Sequence, residues 1–121
     1  MRDVISARLP VQPLGSGETR FFCTSFSEAA KQVVSGIEMQ IRLSSLLYGM
    51  YGEAITMAKI ALTFPFPLQK EEHIEIALAL KGARRVKDTS LFLARFTLMA
   101  HCTENGRIVL KGSFLIVVPQ P

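Results

Sequence analysis

The sequence is poor in the residues that build disulfide frameworks, zinc sites and membrane spans. It has two cysteines, Cys23 and Cys102, two histidines and no tryptophan among 121 residues. No CxxC pair is present, so no zinc site or disulfide scaffold is indicated and no metal is expected. No run reaches the roughly 18 apolar residues of a membrane helix, and Arg2, Asp3 and Arg8 interrupt any signal-peptide core. We therefore expect a cytoplasmic protein with reduced thiols and no membrane partner.

The composition predicts one folded domain over residues 1–121. Hydrophobic residues make up 49% of the chain, which is ample for a packed core at this length. The net charge is +4, and Lys81, Arg84, Arg85 and Lys87 form a local basic cluster. Such a cluster binds phosphates or an acidic protein, or is a solvated turn. No nucleic-acid-binding motif is present, so nucleic acid is not an expected partner.

One long amphipathic helix pattern covers residues 27–50. Ser25 and Glu28 have the spacing of a capping box, which predicts the helix start, and Gly49 and Gly52 predict its end. At 1.5 Å per residue the helix would be about 36 Å long. Its predicted buried face consists of Ala30, Val33, Val34, Ile37, Ile41 and Leu47.

Strand patterns account for the rest of the chain. Residues 4–11 and 19–24 form two short runs, either one hairpin or a bent strand. Four more runs, residues 54–64, 73–84, 90–103 and 107–118, follow the helix without any helical pattern between them, which predicts antiparallel neighbours. Asn105-Gly106 predicts a tight hairpin between the last two.

The alternation in residues 73–84 indicates one buried face and one partly exposed face. The buried face carries Ile74, Ile76, Leu78 and Leu80, and Glu75, Ala77, Ala79 and Lys81 lie opposite. The last two runs are apolar on both faces, so a partner subunit is expected to cover part of them. The sequence thus predicts an α+β fold in which a curved antiparallel sheet wraps around one long central helix.

This order of elements resembles the hot-dog fold, which acyl thioesterases and β-hydroxyacyl-ACP dehydratases share. Residues 17–24, GETRFFCT, are similar to the dehydratase segment that ends in Phe-x-Gly-His. Glu38 falls where the dehydratase helix carries its catalytic acid, and residues 36–52 keep that helix's spacing to its closing glycines. The chain departs from the family at Thr24, where the catalytic histidine would fall, and it lacks the N-terminal Pro-His-Arg segment.

The resemblance implies a dehydratase-like protein that acts on or binds 3-hydroxyacyl or enoyl thioesters in fatty-acid or polyketide biosynthesis. The acyl chain would be carried on the phosphopantetheine of acyl carrier protein or of coenzyme A, and no bound cofactor is implied. Dehydration needs a base for the α-proton and an acid for the hydroxyl group. In the family the two come from different subunits. Glu38 would therefore complete a composite site in a homodimer, or in a heterodimer with a histidine-bearing hot-dog subunit.

Two other functions remain open on the sequence. In a thioesterase that acts on acyl-CoA or acyl-ACP, Glu38 would activate water and no histidine is required. In a non-catalytic subunit, the chain would stabilise an active partner or sense acyl ligands.

Each predicted site residue also has a plain structural explanation. Glu38 is four residues before Arg42, the spacing of a surface ion pair on a helix. Gln40 would orient substrate or water, or is an ordinary polar residue. Cys23 and Thr24 lie where the family places its reactive loop, although a free cysteine is commonly an apolar filler. By resemblance, the basic cluster lies near the mouth of the acyl tunnel, where it would hold phosphate or carboxylate groups of the carrier.

Overall fold

The structure is a computed structural model that describes residues 2–4, 14–52 and 54–119. One α-helix precedes most of the strands, as predicted. The elements in chain order are β1 (Arg2–Val4), β2 (Thr19–Ser25), β3 (Val33–Val34), α1 (Gly36–Tyr51), β4 (Thr56–Thr63), β5 (Leu68–Gln69), β6 (His73–Arg85), β7 (Leu91–Cys102) and β8 (Ile108–Pro119).

The main sheet has the strand order β1-β2-β6-β7-β8-β4. In the part of this order that reads β2-β6-β7-β8-β4, all neighbouring strands are antiparallel, which confirms the predicted antiparallel pairing. β1 is parallel to β2 and shares only Val4 with the first predicted run, so the choice between a hairpin and a bent strand for that run stays a prediction. The remainder of the first run, residues 5–11, lies outside the described residues. β3 and β5 form a separate two-stranded ladder that the sequence pattern did not predict.

One core lies between α1 and the face of the sheet that we call the inner face. Ile74, Ile76, Leu78 and Leu80 of β6 are buried there, as predicted. The opposite, outer face carries the alternate residues of the same strands. The helix contributes Met39, Leu43, Leu46, Leu47 and Met50 to the core.

The helix begins later than predicted. Its N-cap is Ser35, whose side chain accepts a hydrogen bond from the Glu38 amide in a capping box. The predicted capping residue Glu28 instead forms an ion pair with Arg42. Val33–Val34 is extended because it pairs with Leu68–Gln69. The helix therefore has 16 residues and is about 24 Å long. Gly52, at φ 86°, ends it as predicted, whereas Gly49 lies inside it.

The predicted buried face of the helix is also wrong in part. Ile37 and Ile41 are 71% and 61% exposed, whereas Leu47 is buried. The helix carries apolar side chains on two sides, and the methionine and leucine side faces the sheet. Ile37, Ile41 and Tyr48 thus form an exposed apolar stripe that follows the helical spacing.

Contacts at its two ends fix the direction of α1 along the sheet. Near its start, Arg42 donates hydrogen bonds to Thr24 Oγ1 and the Ser25 carbonyl, at the end of β2. Near its end, the Tyr51 ring packs edge-on against Phe96, with 5.7 Å between ring centroids. The helix N-terminus therefore lies at the end of the sheet where β6 begins. Within the described residues, no helix is long and apolar enough to cross a membrane.

Gly112 allows β4 to approach β8 closely. A Cβ atom at this position would lie 2.1 Å from the Ala61 carbonyl oxygen and 2.9 Å from Leu62 Cα. Both are backbone atoms that cannot move without shifting β4. Any side chain here would thus push the edge strand outward.

We expect Gly112→Ala to destabilise the fold by roughly 1–3 kcal/mol through overpacking. Urea unfolding followed by circular dichroism measures this change. Gly82→Ala is the matched control, because a Cβ there meets no atom within 4 Å. Equal stability of the two variants would contradict the close approach at Gly112.

We expect Ser35→Ala to lower the free energy of unfolding by about 1 kcal/mol, because it removes the N-cap. The control is Ser45→Ala in the middle of the same helix, where alanine is the better helix former. Thermal and urea unfolding of both variants test the helix start. A loss that occurs only in Ser45→Ala would be inconsistent with a helix that starts at Ser35.

Candidate functional site

The candidate site lies at the N-terminus of α1, where Glu38 occupies the third helical position. Glu38 Oε1 accepts hydrogen bonds from the Ser35 amide and from Ser35 Oγ, both at 3.2 Å. Its other oxygen, Oε2, has no hydrogen-bond partner among the described residues. The side chain is half-buried. The capping box thus orients this carboxylate and leaves one oxygen able to accept a proton.

Two backbone amides lie beside this carboxylate. The N–H groups of Gly36 and Ile37 belong to the first helical turn and make no hydrogen bond to any residue that the structure describes. Unpaired amides at a helix N-terminus attract negative charge and carbonyl oxygens. The ring of Phe64 lies against Gly36, where a Cβ atom would be 2.9 Å from Phe64 Cζ. The glycine therefore lets an aromatic ring form a wall of the site.

Arg42 fastens this helix turn to the end of β2. Its guanidinium donates to Thr24 Oγ1 and to the Ser25 carbonyl, pairs with Glu28, and lies 4.5 Å from the centroid of the Phe26 ring. The predicted surface pair of Arg42 with Glu38 is therefore wrong. Because Arg42 binds elsewhere, the Glu38 carboxylate stays available at the site.

The structure brings one of the other predicted residues near Glu38 and separates two. Thr24 lies near Glu38, because its Oγ1 accepts a hydrogen bond from Arg42, which is one helical turn after Glu38. Cys23 is the register partner of Glu75 and lies on the outer face, because the preceding Phe22 is buried on the inner face. Gln40 is exposed and two positions beyond Glu38, a spacing at which helical side chains do not face each other.

The basic cluster lies far from Glu38 within one chain. Thr24 is opposite Ile74 at the start of β6, whereas Arg84 is near its end. At about 3.3 Å per residue this is roughly 33 Å along the strand. Lys81, Arg84, Arg85 and Lys87 are exposed, and Arg85 Nε donates to the Thr89 carbonyl at 2.8 Å in the turn after β6. The chain by itself does not place these cations at the helix N-terminus.

Both histidines of the sequence lie on the outer face of the sheet. His101 Nε2 is 3.9 Å from Glu75 Oε1, and His73 Nδ1 is 3.0 Å from Glu104 Oε1. Their strand neighbours Ile74 and Cys102 are buried on the inner side. The sheet therefore separates both imidazoles from the Glu38 carboxylate.

Sequence reasoning missed the supporting residues of this site. Ser35 holds the Glu38 carboxylate in place. Arg42 anchors the helix turn, and Phe64 lines the start of the helix. The Ser35-x-x-Glu38 spacing is itself a capping-box signal that could have been found. Neither Arg42 nor Phe64 has a local signal, because their contacts to Thr24 and Gly36 arise only on folding.

A second group of side chains, separate from this site, contains possible metal ligands. Glu72, Cys102 and Glu104 each place a donor atom within 4.8 Å of the others. Burial raises the pKa of the Cys102 thiol, and its hydrogen bond to Glu72 acts in the same direction. The backbone N–H of His73 lowers the pKa of Glu104 to about 2, so this carboxylate is ionised at neutral pH.

Comparison with known proteins identifies the fold. No protein-family model and no curated protein sequence matches the chain. Solved structures do match. An (R)-hydratase from A. caviae involved in PHA biosynthesis superposes with a TM-score of 0.67 and 15% identity, over 92% of this chain and all of that one. A hypothetical thioesterase protein from Streptococcus pneumoniae, solved with coenzyme A, superposes with a TM-score of 0.60 and 13% identity, over 88% of this chain and 84% of that one.

A third match is a complex of two different chains. The ChsH1–ChsH2 complex from Mycobacterium tuberculosis gives a TM-score of 0.65 and 8% identity, over 86% of this chain and 98% of the other. Identities this low carry the fold and not the activity. The predicted α+β architecture is confirmed: the chain has the hot-dog fold, with a mostly antiparallel sheet and, among the described residues, one helix.

Proposed function

We propose that the chain binds acyl thioesters at the N-terminus of α1 and contributes Glu38 to a hydratase or dehydratase site that a second hot-dog chain completes. One observation carries this proposal. A carboxylate with a free oxygen lies beside two unpaired amides, while both histidines of the chain lie across the sheet. The substrate would be a 3-hydroxyacyl or enoyl group on coenzyme A or on acyl carrier protein.

The chemistry of the site suits a thioester. The backbone amides of Gly36 and Ile37 can donate to the carbonyl oxygen of the thioester. These hydrogen bonds polarise the C=O bond and make the proton on the α-carbon more acidic. Glu38 Oε2 is then the base that takes the α-proton. Phe64 supplies an apolar wall at the same turn. The structural similarity to a hypothetical thioesterase protein solved with coenzyme A supports this class of ligand.

The missing half of the reaction is the acid that protonates the leaving hydroxyl group. A second identical copy brings no histidine on its inner face, so it adds no imidazole next to a helix. We therefore favour a partner with a different sequence that supplies the histidine. The two-chain ChsH1–ChsH2 complex, whose structure resembles this chain, is consistent with such an assembly.

The chain has a surface suited to such a partner. β4 is the last strand of the main sheet, so one of its edges has no strand beside it among the described residues. Next to it are exposed apolar side chains of helix and strand, namely Ile37, Ile41, Tyr48, Met57 and Phe64. A long unpaired edge with apolar neighbours readily pairs with another chain. Because this surface adjoins Glu38, a partner bound here would reach the site.

Thioester hydrolysis is the second candidate function. The free Oε2 of Glu38 could activate water, and the two amides could stabilise the oxyanion that forms at the carbonyl carbon. This reaction needs no histidine, so one chain would suffice.

Glu38→Gln tests whether the Glu38 carboxylate is the base. Glutamine also serves at this capping-box position, so the variant should fold normally while it loses the base. The chain is incubated with 3-hydroxyacyl and saturated acyl thioesters of coenzyme A and of acyl carrier protein, and products are followed by mass spectrometry. Added imidazole, which replaces the missing histidine, should increase formation of enoyl product. This rate should fall about 100-fold or more in Glu38→Gln.

Gln40→Ala is the control and should leave the rate unchanged, because Gln40 points away from the site. Release of free acid without imidazole would instead establish the thioesterase. Thioester binding without any turnover would indicate a non-catalytic subunit. Failure to bind any thioester would contradict the proposal.

A further prediction concerns the apolar surface. Ile41→Asp should leave the free energy of unfolding of the monomer nearly unchanged, since the side chain is exposed, but should weaken association with any hot-dog partner or second copy. Sedimentation velocity over a concentration series measures this association. Gln40→Asp adds the same charge at the neighbouring exposed position. If both variants associate like the wild type, the partner does not cover the helix stripe.

A further inference from the structure

Two turns of the structure bring a buried thiol between two carboxylates. Glu72 lies just before β6, and Cys102 and Glu104 lie at the start of the β7–β8 hairpin. The Cys102 side chain is part of the core and only 1% exposed. Its Sγ nevertheless points out to the two acids, 3.1 Å from Glu72 Oε2 and 3.5 Å from Glu104 Oε2. The sequence predicted no metal site, because Glu72 is 30 residues from Cys102 along the chain.

The spacing of these atoms fits a tetrahedral metal site. Bonds of about 2.3 Å to sulfur and about 2.0–2.2 Å to oxygen separate two ligands by roughly 3.5 Å. The two sulfur–oxygen distances are close to this value. All three donor atoms lie within 4.8 Å of one another. An ion could thus be bound with small side-chain movements.

Hydrogen bonds from neighbouring groups already orient both carboxylates. The backbone amide of Gln69 donates to Glu72 Oε1 at 2.8 Å, and the side-chain Nδ2 of Asn105 donates to Glu72 Oε2 at 3.2 Å. The His73 amide donates to both oxygens of Glu104 at 3.0 Å. Partners of this kind hold metal-binding carboxylates in place in known sites.

The charge at this cluster is also poorly compensated. Neither Glu72 nor Glu104 forms an ion pair with a lysine or arginine of the described chain. Among the residues that the structure describes, the one basic group that pairs with either is His73, whose Nδ1 is 3.0 Å from Glu104 Oε1. Two adjacent carboxylates repel each other unless a cation lies between them. The buried thiol and this missing countercharge are separate observations, and both favour a metal ion.

We infer that Glu72, Cys102 and Glu104 bind a divalent transition metal of the zinc class. The thiol loses its proton to solvent as a sulfur–metal bond forms, so one proton is released for each ion bound. A thiolate ligand selects zinc or cobalt over magnesium and calcium, which prefer oxygen. His73 stays hydrogen-bonded to Glu104, and a fourth coordination position remains for solvent. The ion would clamp the turn before β6 to the β7–β8 hairpin.

Cobalt(II) is the probe that tests this inference, because its bond to a thiolate produces a charge-transfer absorption in the near ultraviolet. We expect the full-length reduced chain to develop this absorption with a one-to-one endpoint. Zinc should displace the cobalt and raise the melting temperature, and a chelator should reverse both effects. Magnesium and calcium should change neither signal.

Matched variants identify the ligands. Cys102→Ser should abolish the absorption, and Cys23→Ser, which removes the only other thiol, should retain it. Because serine in the core could unfold the chain, Glu72→Gln in the turn is the second test. It should keep the native circular dichroism spectrum and bind cobalt more than about tenfold more weakly. Three results would overturn the inference. The wild type could show no absorption, the absorption could be lost only in Cys23→Ser, or a folded Glu72→Gln variant could bind cobalt with unchanged affinity.

Discussion

The packing of one side of α1 against the inner face of the sheet determines where the other features of the molecule lie. Met39, Leu43, Leu46, Leu47 and Met50 can be buried only if the helix lies along the concave surface. The side chains of β2, β6, β7 and β8 that face the helix complete this core. With the helix held in this direction, its N-terminus lies at the end of the sheet where β6 begins. The capping box at Ser35 then holds the Glu38 carboxylate beside two unpaired amides.

The same packing divides the polar chemistry of the chain between two faces. The carboxylate and the helix amides lie on the helix side, whereas Cys23, His73 and His101 lie on the outer side because strand residues alternate. A sheet between the Glu38 carboxylate and the two imidazoles prevents these groups from acting on one substrate. In the function that we propose, the fold provides a site for a thioester carbonyl and half of the proton transfers that dehydration needs. The exposed edge of β4 lies where a second chain could provide the other half.

Much of the fold could be predicted from the sequence because its signals are local. The alternation of residues 73–84 correctly predicted a strand, and Asn105-Gly106 correctly predicted a hairpin between the last two strands. The connection is longer than a two-residue turn: of these two residues only Gly106 has a positive φ, 73°, and its amide donates to the Cys102 carbonyl. The helix start could not be predicted because Ser25 and Ser35 both begin capping-box patterns. The choice between them depends on distant contacts, namely Arg42 with Glu28 and the pairing of β3 with β5.

The candidate site could be predicted only in part. Glu38 was identified by resemblance, and the structure gives it a free oxygen and neighbouring amides. Gln40 does not join it, because side chains two positions apart on a helix do not face each other. The basic cluster does not join it either, because residue spacing says nothing about which end of a strand meets the helix. The measurement that tests the account most directly is the set of backbone amide NMR shifts during titration with an acyl-CoA, compared with free coenzyme A. The account predicts acyl-dependent shifts at Gly36, Ile37 and Glu38. Shifts confined to residues 81–87 or to the outer face would contradict it.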